Sequence, residues 1–576
     1  MKILSLFVAV LGISTLATGC ATARPGSAAA AAPGDTPSTK AAKPQPKTLP
    51  APPEAIYQAL VAEMAAQRGQ YDIAAEYYQL LARTTRDPRI AERATRIAVF
   101  TRNDKKALES AKVWLEQDPG SLDARLLIAA VLIKQGQIDA AAEHLETVLA
   151  EQATTADHGF GTVVTLLASL PDNKAALATM EKLASKHKDD PFAQLNYSQI
   201  ALRANALDKA RSAVETALRL KPEWPNAMIL QARILQLSGD TAGSLTILDA
   251  LIKQQPNDIP LRLVYARTLI SANRHADALT QFEALQKQSP DNPDVLLGAA
   301  LLSIDLKHLD KAEGYLTQLN KQPKRSGEAS FYLGVVAEEK KDYDTARQWY
   351  AVVPPGENYL SAQIRIADLM ARQGDIEGAR GHLRGLGFAD PSQKLRIYLA
   401  EGSILYQAEQ YGLAMELYDA ALTEIPDNSE LLYSRALTAE KLDRLDILER
   451  DLTSIIKREP DNAPVLNTLG YTLADRTNRY QEALGYIKRA LELRPQDFAI
   501  MDSMGWVQHK LGNNEEAIKY LRKSFEQGQD PEVAAHLGEV LWVTGDQEGA
   551  KEVWQRAAKT APDHKALLET MRRFGQ

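Results

Sequence analysis

The sequence contains a single cysteine, Cys20, among 576 residues. One thiol cannot form an internal disulfide or supply a structural zinc site, so neither device holds the fold together. Aromatic residues are few, at 6%, and no stretch after residue 20 has the roughly 18 apolar residues of a membrane-spanning helix. The net charge of −7 provides no broad basic field, which argues against nucleic acid as a partner.

Sequence motifs of catalysis are also missing. The nine histidines are scattered without an HExxH pattern, and the chain has neither a GxSxG nor a GxxxxGK[ST] motif. Residues 159–164 (GFGTVV) begin like a dinucleotide-binding loop, but the third glycine is absent. We therefore predict that the chain is not an enzyme and needs no cofactor or catalytic metal.

The first 19 residues have the layout of a secretory signal peptide: a charged start, an apolar stretch and a run of small residues. That run and Cys20 resemble the lipobox of bacterial lipoproteins, although Leu16 lies one place earlier than the usual leucine. The resemblance implies that Cys20 is lipidated and becomes the first mature residue. Because Ala21 is not aspartate, it also implies outer-membrane anchoring, with the folded part in the periplasm. The alternative is an ordinary cleavage site with a chance cysteine.

Residues 20–53 follow as a predicted disordered tether. Eight prolines and many alanines occur between residues 21 and 53, without hydrophobic periodicity. Such a composition cannot bury enough apolar surface to fold.

The rest of the chain, residues 54–576, repeats a pattern with a period of about 34 residues. In segments such as LDKARSAVETAL and RYQEALGYIKRAL, a turn residue precedes a small alanine, and a large apolar residue follows about four positions later. The alanines of this first column are Ala74, Ala107, Ala141, Ala210, Ala278, Ala312, Ala346, Ala379, Ala414, Ala483, Ala517 and Ala550.

Two further columns accompany the first. Twelve positions earlier lies a second column of small residues: Ala62, Ala129, Ser198, Ala232, Ala266, Ala300, Gly334, Ala367, Gly402, Gly505 and Gly538, with Ala436 and Gly470 slightly displaced. Prolines recur between units at Pro119, Pro222, Pro256, Pro290, Pro426, Pro460, Pro495 and Pro562. Small residues let two helices approach closely, and proline ends the second helix of each pair.

This pattern resembles the tetratricopeptide repeat. The resemblance implies an all-α, right-handed superhelical solenoid of about fifteen helical hairpins, in which stacking of neighbours builds one continuous core. The units near residues 88–118 and 152–187 fit the pattern least well. Gly159, Gly161 and Pro171 surround a short apolar helix in the second of them.

The repeat register separates candidate contact residues from packing residues. In the first hairpin, Tyr71 and Tyr78 fall at ordinary packing positions, whereas Tyr57 and Tyr77 do not. Two surplus tyrosines on a hairpin without a preceding neighbour suggest a protein contact surface. The alternative is that they form a terminal cap.

A second candidate lies toward the other end of the chain. In tetratricopeptide arrays the first helix of each hairpin lines an inner groove, and the resemblance places seven residues of two segments there. Aromatic, amide and charged side chains together suit an extended client peptide. The alternative is packing between helix faces. The seven residues are Asn467, Tyr471, Asp475, Asp502, Trp506, His509 and Lys510.

Segments such as LNTLGYTLADRTNRYQEAL and MDSMGWVQHKLGNNEEAIKYLRKSF are similar to those of long tetratricopeptide lipoproteins of Gram-negative bacteria. In this family, the LbcA-like adaptor type binds a periplasmic carboxy-terminal processing serine protease, with the N-terminal hairpins as the expected dock. It delivers clients such as peptidoglycan hydrolases to that protease. The resemblance implies an adaptor of this type. Two other roles stay open: a scaffold for exopolysaccharide export and an assembly factor for outer-membrane proteins.

Overall fold

The computed structural model describes residues 52–387 and 390–575. The predicted signal peptide, Cys20 and nearly all of the predicted tether lie outside the described residues. Within the described ranges the structure contains 31 α-helices and no strand, so the predicted all-α class is confirmed. Chain order is followed in numbering them: α1 Pro53–Gln67, α2 Tyr71–Thr85, α3 Pro88–Phe100, α4 Asp104–Gln117, α5 Leu122–Lys134, α6 Ile138–Glu151, α7 Phe160–Ser169, α8 Asn173–Lys186, α9 Pro191–Arg203, α10 Leu207–Leu220, α11 Pro225–Leu237, α12 Thr241–Gln254, α13 Ile259–Ser271, α14 His275–Gln288, α15 Pro293–Asp305, α16 Leu309–Asn320, α17 Ser326–Glu339, α18 Tyr343–Ala351, α19 Tyr359–Arg372, α20 Ile376–Gly385, α21 Pro391–Gln407, α22 Tyr411–Glu424, α23 Ser429–Lys441, α24 Leu445–Arg458, α25 Ala463–Arg476, α26 Tyr480–Leu493, α27 Phe498–Lys510, α28 Asn514–Gly528, α29 Pro531–Val543, α30 Gln547–Thr560 and α31 Lys565–Arg573.

The described residues fall into two compact units: unit 1 ends at Tyr315, within α16, and unit 2 begins at Leu316. Taken in pairs along the chain, the helices give fifteen helix–turn–helix segments followed by α31. Within each unit a helix packs mainly on its neighbours along the chain. This nearest-neighbour packing is the property that defines a repeat solenoid.

The small-residue columns lie where paired helices approach most closely. Every alanine of the first column is buried, and so are the small residues of the second. A Cβ atom added at Gly505 of α27 would lie only 2.5 Å from Leu521 Cγ and 3.1 Å from the carbonyl oxygen of Ala517, both on α28. A larger side chain at this position would therefore push the two helices apart.

Proline and capping residues mark the helix boundaries. Each proline of the predicted column lies two residues after the end of a second helix. Several first helices begin with proline directly after an acidic or amide cap. Before α29, for example, the Asp530 carboxylate accepts a hydrogen bond from the backbone N–H of Glu532 at 2.8 Å. Capping satisfies N–H groups that have no partner within the helix.

Of the two repeats that fit the sequence pattern least well, one is regular in the structure and the other is irregular. Helices α3 and α4 form an ordinary hairpin, so the unit near residues 88–118 departs from the pattern only in sequence. In the other unit, α7 has just 10 residues and is preceded by an irregular segment. Gly159, the residue that caps the start of α7, has φ of 77°, a left-handed conformation that glycine adopts without strain.

Candidate functional site

The first hairpin exposes a row of large apolar side chains along α1. Ile56, Tyr57, Leu60 and Met64 are all exposed, and their spacing of three or four residues places them along one side of the helix. The ring of Tyr57 meets that of Tyr77 on α2 edge to face, with centroids 6.1 Å apart. The neighbouring Tyr57 hydroxyl raises the pKa of the Tyr77 hydroxyl. The structure therefore brings the two predicted docking tyrosines together.

Tyr78 packs in the core, as its position in the repeat register predicts, whereas Tyr71 does not. Tyr78 is buried, and its hydroxyl donates a hydrogen bond to Glu63 Oε1 at 2.5 Å. Burial raises the pKa of this hydroxyl, as does the bond to Glu63. Tyr71 is exposed instead and packs edge to face on Phe100 of α3, itself exposed, with centroids 4.9 Å apart. The sequence pattern did not predict this second aromatic pair.

In unit 2, three successive first helices, α25, α27 and α29, meet around His536. The imidazole of His536 stacks on the indole of Trp506 at 4.2 Å, and its Nδ1 lies 3.0 Å from both carboxylate oxygens of Asp502. The hydroxyl of Tyr471 lies 3.4 Å from His536 Nε2. Trp506 Nε1 in turn donates a hydrogen bond to Asp475 Oδ1 at 3.1 Å. We call His536, Trp506, Tyr471, Asp502 and Asp475 the His536 cluster.

Members of the predicted client surface differ in accessibility. Trp506 and Asp502 are buried, and both contact His536. Asp475 is exposed, while Tyr471 and Asn467 are half-buried. The carbonyl oxygen Oδ1 of Asn467 is itself buried and makes no hydrogen bond. Client contact by these residues stays a prediction.

The two remaining members of the predicted surface, His509 and Lys510, lie at the end of α27 and are half-buried. The Lys510 ammonium lies 4.4 Å from the centroid of the Trp506 ring, and His509 Nδ1 lies 2.8 Å from Asn514 Oδ1. The structure therefore connects Lys510 to the His536 cluster through Trp506.

Sequence reasoning missed three residues of this region: His536, Glu440 and Glu532. His536 occupies a position that the repeat register assigns to packing against a preceding helix, so no sequence signal singled it out. Burial raises the pKa of the Glu440 carboxyl. The pKa of the Tyr471 hydroxyl is also raised, first by burial and then by the carboxylates of Asp475 and Glu532. The surface around the cluster therefore concentrates carboxylates beside aromatic rings.

Protonation of His536 is coupled to these carboxylates. Burial alone would lower the pKa of His536, but attraction to Asp502, and more weakly to Glu532 and Asp475, outweighs burial and leaves the pKa raised. A group whose folded-state pKa lies above its unfolded value stabilises the fold fully below the unfolded value, near 6.5. That stabilisation is lost as the pH rises through the folded-state pKa.

We accordingly expect the loss of stability caused by His536→Gln to be larger at pH 5.5 than at pH 9. The measurement is urea denaturation of both proteins at each pH, because comparison at equal pH cancels the titration of all other groups. His509→Gln, which leaves the contacts with Asp502 intact, is the control. An equal difference at the two pH values would contradict the coupling.

In residues 52–387 and 390–575, no helix has the length and apolar character needed to cross a bilayer. The same residues hold no group of three or more histidine, cysteine, aspartate or glutamate side chains arranged to bind a metal ion.

Comparison with known proteins identifies the repeat. Models described as tetratricopeptide repeat match well over half of the chain. The matched residues are 105–158, 235–302 and 271–329 for one model, 164–227, 199–259, 364–429 and 433–498 for a second, and 500–527 and 531–556 for two others.

A curated relative is similar over most of its length. The TPR repeat-containing protein PA4667 of Pseudomonas aeruginosa is 35% identical over 487 residues, which cover 84% of this chain and 82% of the relative. Among solved structures, yeast Tom70 is 14% identical with a TM-score of 0.34, covering 90% of this chain and 94% of its own. The APC/C hetero-tetramer Cut9–Hcn1 is 15% identical with a TM-score of 0.31, covering 84% of this chain and 96% of the matched one. The repeat matches and the 35% identity together show that this chain belongs to the tetratricopeptide repeat family.

Proposed function

We propose that the chain is a non-catalytic adaptor, anchored in the outer membrane through a lipid on Cys20 and facing the periplasm. Its N-terminal hairpins bind a periplasmic carboxy-terminal processing serine protease. The surface around the His536 cluster, in unit 2, holds client proteins such as peptidoglycan hydrolases. Tetratricopeptide repeats make the chain a scaffold for protein–protein interaction, and the LbcA-like resemblance suggests which proteins it joins.

The observation that carries this proposal is the presence of two surfaces with different chemistry. The surface on α1 and α2 is apolar and aromatic, with Tyr57 and Tyr77 in contact. The surface around the His536 cluster combines aromatic rings with exposed carboxylates, among them Asp475 and Glu532. An adaptor needs two such surfaces, because each must select its own partner while the other is occupied.

The exposed carboxylates of the surface around the His536 cluster indicate the kind of client segment that this surface would hold. An extended peptide with lysine or arginine side chains would place its charges beside Asp475 and Glu532, and its ammonium groups could approach the Tyr471 ring. Binding of such a segment should weaken with salt, since exposed charges are screened within about 8 Å at physiological ionic strength. Holding client and protease on one body raises their effective concentration, which accelerates cleavage without any catalytic group in the adaptor.

A capture experiment with two paired variants tests the proposal. The wild-type protein, Tyr57→Ser/Tyr77→Ser and Asp475→Asn/Glu532→Gln would each be used to capture proteins from a periplasmic extract and to bind the purified protease. We expect the tyrosine variant to lose the protease and keep the hydrolases. The carboxylate variant should do the reverse, so that each variant serves as the control for the other.

The proposal fails if both variants lose the same partners, or if the wild type retains no protease. Recovery of polysaccharide-export components in place of a protease would favour the export scaffold. Recovery of outer-membrane β-barrel precursors would favour the assembly factor.

A further inference from the structure

The apolar row on α1 occupies positions that are covered in later hairpins. When first helices are aligned on the second small-residue column, Tyr57, Leu60 and Met64 of α1 correspond to Ala227, Leu230 and Ile234 of α11. The α11 residues are 0%, 9% and 0% exposed, whereas those of α1 are 59%, 58% and 49% exposed. The same positions before and after the column are buried in other first helices: Leu261 and Thr268, Val295 and Leu302, Leu431 and Thr438, Ile500 and Val507, and Val533 and Val540.

The second helix of the preceding hairpin covers these positions. Helix α11 packs on α10, and the small buried residues Val214 and Ala217 of α10 join one apolar cluster with Ala227, Leu230 and Ile234. For α15, a Cβ atom added at Gly298, the counterpart of Leu60, would collide with the Phe282 ring of α14. The contact between a second helix and the next first helix is thus the interface that recurs from repeat to repeat. Helix α1 presents the side of this interface that a preceding second helix would cover.

Residues 21–51, which precede α1, do not have the sequence of a preceding second helix. Between residues 21 and 51, Leu49 is the only leucine, isoleucine, valine, methionine or aromatic residue, and it stands beside Pro50. An amphipathic second helix needs an apolar stripe that repeats at three or four residues and has no internal proline. Residues 21–51 therefore lack the sequence pattern of such a helix.

We infer that the end face, defined as Tyr57, Leu60 and Met64 of α1 with Tyr77 of α2, receives one amphipathic helix of the docked protease. This helix takes the place of the second helix of a preceding repeat, and the inference rests on the proposed function. Because this helix would continue the repeat interface, its contact residues should resemble those of a second helix. Toward α1 it presents small and medium apolar residues like those of α10, which leave room for the Tyr57 ring. A basic residue near its C-terminal end would face the exposed carboxylate of Glu54.

A chimera tests whether the end face accepts such a helix. Residues Leu207–Trp224, comprising α10 and its following turn, would be joined directly before Ala55, the counterpart of Pro225 in the repeat register. We expect the melting temperature to rise, hydrogen exchange in α1 to slow, and the affinity for the purified protease to fall about 30-fold or more. The control chimera carries Val214→Asp and Ala217→Asp within the insert, and it should retain wild-type affinity for the protease.

Point variants of the full chain provide an independent readout. Leu60→Asp/Met64→Asp should weaken protease binding by about 30-fold, because two apolar contacts of a kilocalorie or more each are lost and two charges must be desolvated. The control Leu413→Asp places one such charge on α22, at a residue that is also exposed, and should leave the affinity unchanged. Circular dichroism would verify that each variant keeps its helix content.

Each of four other outcomes would count against either the inference or the proposed function. An insert that slows exchange in α1 while the protease still binds with wild-type affinity would overturn the inference and leave the adaptor function standing. An insert that gives no protection would also overturn it. Concentration-dependent dimerisation of the wild type that the double aspartate variant abolishes would assign the end face to a second copy, against the inference. Protection by the insert with no protease binding by the wild type would refute the proposed function while demonstrating that the end face accepts a helix.

Discussion

Replacement of Trp554 by alanine is expected to lower the free energy of unfolding of unit 2 by about 3–5 kcal/mol, the usual range for truncating a large buried aromatic residue. Trp554 lies on α30 and is the largest fully buried side chain of the described protein. Its indole stacks on Trp542 of α29 and on Phe574 after α31, with both centroid distances 5.8 Å. Truncation would leave a cavity bounded by three separate helical segments.

The chemistry of the contact supplies the control. Trp554 Nε1 makes no hydrogen bond, so the indole stabilises the fold through apolar burial and ring packing alone. We therefore expect Trp554→Phe to cost much less than Trp554→Ala. Urea denaturation followed by circular dichroism measures both, and equal losses for the two variants would contradict this account.

The same truncation should affect the candidate client surface. The indole of Trp554 lies against Gly538 of α29, where any side chain would collide with it. Helix α29 also carries His536 and Glu532. Hydrogen exchange in α29 should therefore accelerate in Trp554→Ala, linking the core of the last hairpin to the surface proposed to hold the client.

Sequence reasoning succeeded where one physical requirement repeats. A small residue is needed wherever two helices approach closely, and proline is tolerated only after the second helix ends. These requirements predicted the columns of Ala483 and Gly505, the positions of Pro495 and Pro562, and thereby the hairpins themselves. The contact role predicted for Tyr57 and Tyr77, neither of which fits a packing position of the repeat, stays a prediction.

The contacts that sequence reasoning missed join different repeats. Tyr471 and His536 are 65 residues apart and belong to hairpins separated by a third, so no single unit reveals their contact. Trp506 sits at a groove position in the register but is buried, because His536 of the next hairpin stacks on it. A repeat register assigns positions within one repeat, so it does not predict which side chains of different repeats will touch.

The structure also separates stabilising charges from charges that are available to partners. Glu449 and Arg479 form an ion pair in which both side chains are more than 40% exposed. Glu401 of α21, by contrast, is 1% exposed and lies 3.0 Å from Arg380 Nε and 2.7 Å from Arg384 Nη2, both on α20. Only the buried arrangement joins the two helices through charges removed from water.

We expect Glu401→Gln to lower the free energy of unfolding of unit 2 by about 3 kcal/mol, the lower end of the range for breaking a buried ion pair. The substitution keeps the shape of the side chain but leaves the Arg380 guanidinium, whose side chain is 11% exposed, without its buried counter-charge. Arg384 is 57% exposed and can turn to water, which is why the loss should stay near the lower limit. Urea denaturation at neutral pH measures the difference.

Two further variants separate the charge from the packing. Glu449→Gln should cost less than about 1 kcal/mol, because water and salt screen its exposed pair with Arg479. Glu401→Leu/Arg380→Leu should recover most of the stability lost in Glu401→Gln, because apolar side chains of similar volume need no desolvation of charge. If the double variant were as unstable as Glu401→Gln, the buried carboxylate would matter through the shape of the α20–α21 contact, and its charge would not be what holds these two helices together.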